Sequence, residues 1–321
     1  MRRGWRLLIL CMAGVSTVSL AQPYPAKLVR VVTGSLAGGG ADITGRPIAQ
    51  RMSDFFGVQV IVDNRPGAAG MIANELVAKA APDGYTLLMN PGSFVTVSTR
   101  LNSQMPFDPL EQLAPVVQVS AYQFVLVVHP SVPAKTVKEL IALARSKPKS
   151  LTFVSTGVGS NFHLGGELFR LSAGVELWHV PYKGSPLAII DLLAGRADMM
   201  FIGLNAVMPF IKAGRLRALG VTSTRRSTLL PDVPTIAEAA LPGYELNGWE
   251  GMFAPAKTPR EIVARLNATI ANVLATPEVK ELWTGKGVEF IPNTPEQFAA
   301  KVREDYEKTG KIIKAAGIKP D

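Results

Sequence analysis

One local unit is written twice in this chain: a short apolar run of strand character, a glycine-rich turn, and an amphipathic stretch of helical period. Residues 28–33 supply the first run, Gly38-Gly39-Gly40-Ala41-Asp42 the turn, and helical spacing continues to about residue 56. Residues 151–154, the turn Ser155-Thr156-Gly157-Val158-Gly159-Ser160 and a helix opening at Asn161 repeat the pattern. Glycines let another molecule approach the backbone closely, and each turn leads into a helix whose first N–H groups have no intrahelical partner. Such an end suits an anion, so the repeated unit predicts two binding jaws.

Between and beyond these units, strand-like and helix-like runs alternate, the pattern of mostly parallel sheets covered by helices on both faces. This predicts an α/β chain of two lobes. The long apolar run 124–128 is the first crossing between them, and the extended stretch 244–253, which carries Trp249, is the return. Lobe one is therefore expected over residues 22–123 and 245–321, and lobe two over 124–244. Runs 116–119 and 124–128 read as separate strands, and Asn90-Pro91-Gly92-Ser93 as a turn at a strand's carboxyl end, where open α/β sheets place ligands. Thr294-Pro295-Glu296-Gln297 opens a last helix, expected to pack on lobe one. Pro47 would cost the first helix a hydrogen bond unless that helix begins near Thr44.

Arg2, Arg3 and Arg6 precede an apolar run over residues 7–18 and then Ser19-Leu20-Ala21, the layout of a secretory leader cut ahead of Gln22. Residues 1–21 are thus expected to be removed and the mature chain to work in the periplasm. Loss of those arginines reduces the formal charge from +9 to about +6. The excess is dispersed and no basic run is interleaved with aromatics, which argues against nucleic acid. A mild positive field would instead help a small anion arrive. No exposed edge or apolar stripe advertises a subunit interface, so a monomer is expected.

Sharper chemistries fail on spacing. Neither glycine turn carries the third glycine of a dinucleotide fingerprint, although Asp63 stands where a ribose-binding acid would. Gly40 and Gly45 have P-loop spacing, but Arg46-Pro47 replaces Lys-Ser/Thr. Ser160 and His163 could face one way, yet no nucleophile elbow surrounds Ser160. Cys11 falls in the leader and no His/Asp/Glu cluster recurs at ligand spacing, so no metal, cofactor or catalysis is expected. Anion capture needs only backbone donors, hydroxyls and helix ends. Each charge-assisted hydrogen bond contributes about 1.5–3 kcal/mol and a helix end up to about 2. Four or five such contacts, less the cost of closure, reach about −8 kcal/mol, a micromolar affinity.

Several motifs together resemble the periplasmic substrate-binding proteins of tripartite tricarboxylate transporters, the Bug or TctC family. They are Gly38-Gly39-Gly40-Ala41-Asp42, Val62-Asp63-Asn64-Arg65-Pro66-Gly67-Ala68, Ala81-Pro82-Asp83-Gly84-Tyr85-Thr86-Leu87, His179-Val180-Pro181-Tyr182-Lys183-Gly184 and Pro231-Asp232-Val233-Pro234-Thr235, with Phe253-Ala254-Pro255 and Ala315-Ala316-Gly317-Ile318-Lys319. The resemblance implies a type II, Venus flytrap fold that closes on a small organic carboxylate and delivers it to membrane permease subunits; a sensor subunit would use the same closed state. It implies ligand contacts from Ser35, Leu36, Ala37, Gly38, Gly39, Gly40 and Asp42 on one side. On the other stand Thr156, Gly157, Val158, Gly159, Ser160, Asn161 and His163, and the rest of the wall comes from Asn90, Ser93, Tyr182, Gly203, Leu204 and Asn205. Members often carry aromatic and proline residues in place of Ser35-Leu36-Ala37, and an acid in place of Ile202-Gly203. These departures point to an apolar or aromatic mono- or dicarboxylate rather than an amino acid.

Overall fold

The computed structural model describes residues 24–102, 108–284, 288–290 and 292–319. The expected leader and its cleavage point lie outside the described residues. Ten strands are present among them: β1 (Val29–Thr33), β2 (Val60–Asn64), β3 (Thr86–Pro91), β4 (Leu113–Val128), β5 (Thr152–Ser155), β6 (Trp178–Pro181), β7 (Met199–Gly203), β8 (Arg217–Val221), β9 (Asn247–Pro255) and β10 (Val288–Glu289).

Two sheets share one long strand. In the first, β2, β1 and β3 run parallel and β9 is antiparallel to β3. In the second, β6, β5 and β7 run parallel and β4 is antiparallel to β7. The order is the same in both, with the founding strand (β1 or β5) flanked by the two that follow it. Winding reverses at those founding strands, which opens a crevice at their carboxyl ends and at those of β3 and β7. Both glycine turns emerge there.

The 116–119 and 124–128 runs are parts of the single strand β4, sixteen residues long. From Leu113 to Gln123 it pairs with β9; from Phe124 to Val128 it pairs with β7 and β8 instead. Register shifts between Pro115 and Val117 and between Gln118 and Ser120 bend it on the way. Polar residues at 118, 120 and 123 made it look like two strands.

Side-chain alternation builds a core on each sheet face. Val29, Val31, Leu87 and Met89 point to one face of the first sheet, under the helices Gly40–Phe56 and Arg260–Ala275, while Val32 and Leu88 face the other. In the second sheet, Leu126, Val128, Met199 and Phe201 oppose Val125, Val127, Met200 and Ile202. The first helix does begin at Gly40 and tolerates Pro47 within it; Ile43, whose carbonyl Pro47 leaves without its helical donor, is solvent-exposed.

The last helix, Pro295–Ala316, behaves differently from the expectation that it packs on lobe one. Phe298 and Val302 do enter that core, but Ile312 and Ile313 continue the stripe into a cluster with Leu164 and Phe124. A helix of 22 residues, about 33 Å long, thus reaches from one cluster to the other.

Candidate functional site

A cleft of about 970 Å³ opens between the carboxyl ends of the two sheets. Its first wall is the loop after β1. Most donors of this loop are engaged in holding its shape: Gly34 N–H donates to Asn90 Oδ1 at 2.8 Å, Ser35 N–H to Thr33 Oγ1 at 3.2 Å and Gly39 N–H to the Leu36 carbonyl at 2.8 Å. Gly38 N–H donates to Asp42 Oδ2 at 2.9 Å. The Asp42 carboxylate is buried and also accepts from Arg46 Nε at 3.0 Å and Asn64 Nδ2 at 2.9 Å. Burial opposes its charge, but hydrogen bonds from Arg46, Gly38 and Asn64 outweigh that and hold its pKa below the usual range. Asp42 thus braces the loop. The helix that follows has no side-chain cap at Gly39.

Gly34 crosses beneath the neighbouring loop so closely that a Cβ there would stand 2.6 Å from the Gly70 Cα. Because backbone meets backbone, Gly34→Ala is expected to cost about 1–3 kcal/mol, read as a lowered urea midpoint; an unchanged midpoint would show that the two loops part freely.

The segment after β3 is not a free turn. The strand runs through Asn90 and Pro91 straight into a short helix, Gly92–Thr96. Asn90 is fully buried, accepting from Gly34 N–H and donating to Asn74 Oδ1 at 2.8 Å, while Ser93 lines the cleft. Gly92 lies against the Trp249 indole, 2.3 Å from where a Cβ would be. Trp249 is buried in the core with Val32 and Leu88 on one face of the first sheet, its Nε1–H donating to Asp305 Oδ2 at 3.2 Å.

On the opposite wall, Ser160 Oγ accepts from His163 N–H at 3.2 Å and donates to the Gly157 carbonyl at 2.8 Å. Gly159 adopts φ +75°, a conformation suited to glycine, and its N–H donates to His163 Nδ1 at 3.1 Å. His163 stacks on His179 with ring centroids 3.9 Å apart, and His179 on Phe153 at 4.7 Å. Burial above all, with the neighbouring His179 and Arg170, lowers the His163 pKa to about 3; burial lowers that of His179 to about 4. Both rings are neutral near pH 7. The 3.8 Å approach of Glu167 to His163 is accordingly no ion pair, and Glu167 is committed to Arg170 at 2.8 Å.

Of the residues singled out in the sequence, Ser35, Leu36, Gly39, Gly40, Ser93, Thr156, Val158, Gly159, Ser160 and Asn161 are brought together around the cleft. Ala37, Gly38, Asp42, Asn90, Gly157 and His163 are not among its lining and stand within or behind the two loops. Tyr182 turns its hydroxyl to Asp191, Leu204 is buried in the second lobe's core, and Gly203 and exposed Asn205 also stand apart from the lining.

Other lining residues were not anticipated. Pro66, Gly67, Ala68, Ala69 and Gly70 form a rim in which the four residues after the proline all have positive φ, a strained run for two alanines. Gly184 and Ser185 lie at the start of the helix Ser185–Leu193. Phe94, Leu101, Tyr122, Phe124 and Phe162 supply an apolar floor. The charged side chains of the described lining are Glu250 and Lys319. Glu250 had a sequence signal, an acid inside the otherwise uncharged run 246–256. Among the described residues no group of His, Cys, Asp and Glu is placed to hold a metal, and no helix is long and apolar enough to cross a membrane.

The family model of the tripartite tricarboxylate transporter family receptor, TctC, matches residues 44–318. The UPF0065 protein in the tcbD-tcbE intergenic region of Pseudomonas sp. (strain P51) is 41% identical over 291 residues, covering 90% of this chain and 86% of that protein. The structure resembles R. palustris Rpa4515 with adipate at a TM-score of 0.82 and 36% identity, covering 93% of this chain and 100% of that one. It also resembles MatC (Rpa3494) from Rhodopseudomonas palustris with bound malate, at 0.78 and 28% identity over 90% of this chain and 100% of that one. The two-lobed α/β architecture expected from the sequence is therefore that of periplasmic binding proteins, and the chain belongs to the TctC family of periplasmic solute-binding proteins, which bind substrates and are not enzymes.

Proposed function

We propose that this protein captures a small organic carboxylate between its lobes and delivers it to a tripartite tricarboxylate-type membrane permease, working as a periplasmic monomer once residues 1–21 are removed. The observation that carries the reading is the convergence of two loop-and-helix units, 34–40 and 156–161, on one cleft. Hydroxyls of Ser35, Ser93 and Thr156 and the amide of Asn161 come with them. These are donors of the kind a carboxylate takes. The lobes divide as 22–123 with 245–321, and 124–244; the change of partner along β4 between Gln123 and Phe124 supports a hinge at that point.

The carbon skeleton is an apolar or aromatic one with one or two carboxylates. Phe94, Tyr122 and Phe162, each partly exposed, offer aromatic surface beside the donors. A thermal-shift screen of the mature protein against adipate, malate, benzoate, nicotinate, citrate and glutamate tests this. Ligand at a hundred times its dissociation constant adds about 2.7 kcal/mol, a shift of about 2–4 °C for a chain of this size. Hits among adipate, benzoate and nicotinate are expected. Tight glutamate binding beside indifference to these would overturn the skeleton, and no shift with any acid would overturn carboxylate capture.

A further inference from the structure

Glu250 is the one acid in the cleft's described lining, and it is only 4% exposed. It stands on β9 opposite Ser120 of β4, whose Oγ donates to Glu250 Oε2 at 2.9 Å. Its Oε1 lies 3.2 Å from the point a Cβ on Gly40 would occupy, at the uncapped start of the first helix, with the Thr44 hydroxyl from that helix also in reach. The carboxyl therefore sits beside the helix end that a ligand carboxylate would seek. No ion pair to Glu250 exists among the described residues. The groups packed around it are the hydroxyls of Ser120 and Thr44 and the Tyr122 phenol, and among the described residues the one cation lining the same cleft is the exposed Lys319. Asp42 and Arg46, on the same helix as Thr44, neutralise each other.

Two carboxylates side by side in such a site repel each other, and proteins resolve this by leaving a proton on the pair. Resting on the carboxylate reading above, we infer that Glu250 is a specificity residue of this cleft, meeting one carboxylate of the ligand as a neutral acid that donates it a hydrogen bond. Burial, opposed only by the two hydroxyl contacts, already raises the Glu250 pKa before any ligand arrives. The proton comes from solvent, and no bond other than hydrogen bonds is made or broken. A ligand carrying two carboxylates would then present one to the glycine loops and the other to Glu250.

Calorimetric titration with adipate from pH 5.5 to 8.5, in buffers of different ionisation enthalpy, tests the inference. Adipate affinity of the wild type is expected to fall about tenfold per pH unit above the midpoint of Glu250, with net proton uptake on binding. Glu250→Gln, which keeps size and a donor but cannot share a proton, is expected to weaken binding severalfold at pH 6, flatten the profile and abolish the uptake. A flat wild-type profile, or uptake that persists in Glu250→Gln, would overturn the inference. Loss beyond a hundredfold in the variant without uptake in the wild type would also do so, marking a charged acceptor for a ligand cation. The Glu250 carboxyl carbon followed by NMR from pH 4 to 9, with no ligand present, reads the same property separately. A midpoint in the ordinary carboxylate range overturns the inference whether or not adipate binds. A midpoint raised above the ordinary carboxylate range with no adipate bound supports the neutral Glu250 and counts against the carboxylate reading alone.

Discussion

Asn90→Ala is expected to lower the unfolding free energy by about 3–5 kcal/mol and to abolish the carboxylate binding proposed above, read with adipate, in the same protein. The Asn90 side chain is fully buried, and it joins three segments: it accepts from Gly34 N–H at 2.8 Å and from the Thr33 hydroxyl at 3.3 Å, and donates to Asn74 Oδ1 at 2.8 Å. Asn74 in turn donates to the Phe94 carbonyl at 2.7 Å. Truncation strands the Gly34 N–H and the Asn74 carbonyl oxygen without water, at about 1–3 kcal/mol each. That is a large share of the roughly 5–15 kcal/mol by which a domain is stable. Asn90→Asp is a sharper comparison, because it keeps an acceptor for Gly34 but cannot donate to Asn74 when ionised. It should lose stability that partly returns as pH falls and the new acid protonates. Urea midpoints for the two variants, with adipate affinity where the protein remains folded, read the effect. A stability loss under 1 kcal/mol in Asn90→Ala would mean that the loop is held by its other contacts, and the link between this network and the site would fail.

The same residue shows where local reading stops. Strand, turn and helix succession was legible around Asn161, because Ser160 is a capping residue and Gly174 a left-handed stop, and the helix Asn161–Ala173 opens at the expected residue. Helix ends announce themselves within four residues. Asn90 and Asp42 do not. Each is a polar residue at a loop where an anion is expected, and each spends its hydrogen bonds on bracing that loop: Asn90 on Asn74 and Gly34, Asp42 on Gly38, on Arg46 one turn along its own helix and on Asn64 of β2. Nothing within a short window tells a side chain that faces a ligand from one that braces the loop behind it. The long strand β4 was hidden for a related reason. Its bulges let polar Gln118, Ser120 and Gln123 sit in a continuous strand, and only the partners β9, β7 and β8 make it one element. Glu250 was readable in principle, since an acid placed between Trp249 and Gly251 must find a use or a partner. Its proximity to Gly40, however, exists only once β9 has returned to the first sheet.

Acid is expected to destabilise this protein through two buried histidines, above the range in which its ion-paired carboxylates respond. His163 and His179 are stacked neutral behind the second glycine loop, with pKa values lowered to about 3 and 4, whereas in the unfolded chain each returns to about 6.5. Between those values the unfolded state binds more protons than the folded one, so stability rises with pH in that window. The contribution is fully present above pH 6.5 and is lost as pH falls toward 4. Two such groups give a limiting slope of about 2.7 kcal/mol per pH unit. His179 is only partly buried, and solvent screening reduces its share, which leaves a loss on the order of 3 kcal/mol between pH 6.5 and 4.5. Carboxylates held below their usual range, Asp42, Asp191 and Glu238, add to acid sensitivity only at lower pH, whereas burial holds Glu250 and Asp305 above theirs, so that their protonation in the folded state offsets part of the decline. The site is affected by the same event. The His163 Nδ1 that would gain the proton accepts the Gly159 N–H, and the His179 Nε2 is 2.7 Å from the Ser155 hydroxyl at the root of the loop. Protonation would therefore turn an acceptor beneath the loop into a donor facing another donor. Unfolding midpoints from pH 8 to 4.5 should decline from about pH 6.5 downward, and His179→Phe should flatten part of that decline by keeping a stacked ring that cannot titrate. A midpoint unchanged from pH 7 to 5 would show that the histidines are solvated, and the neutral stack could no longer be what holds Gly159 in place.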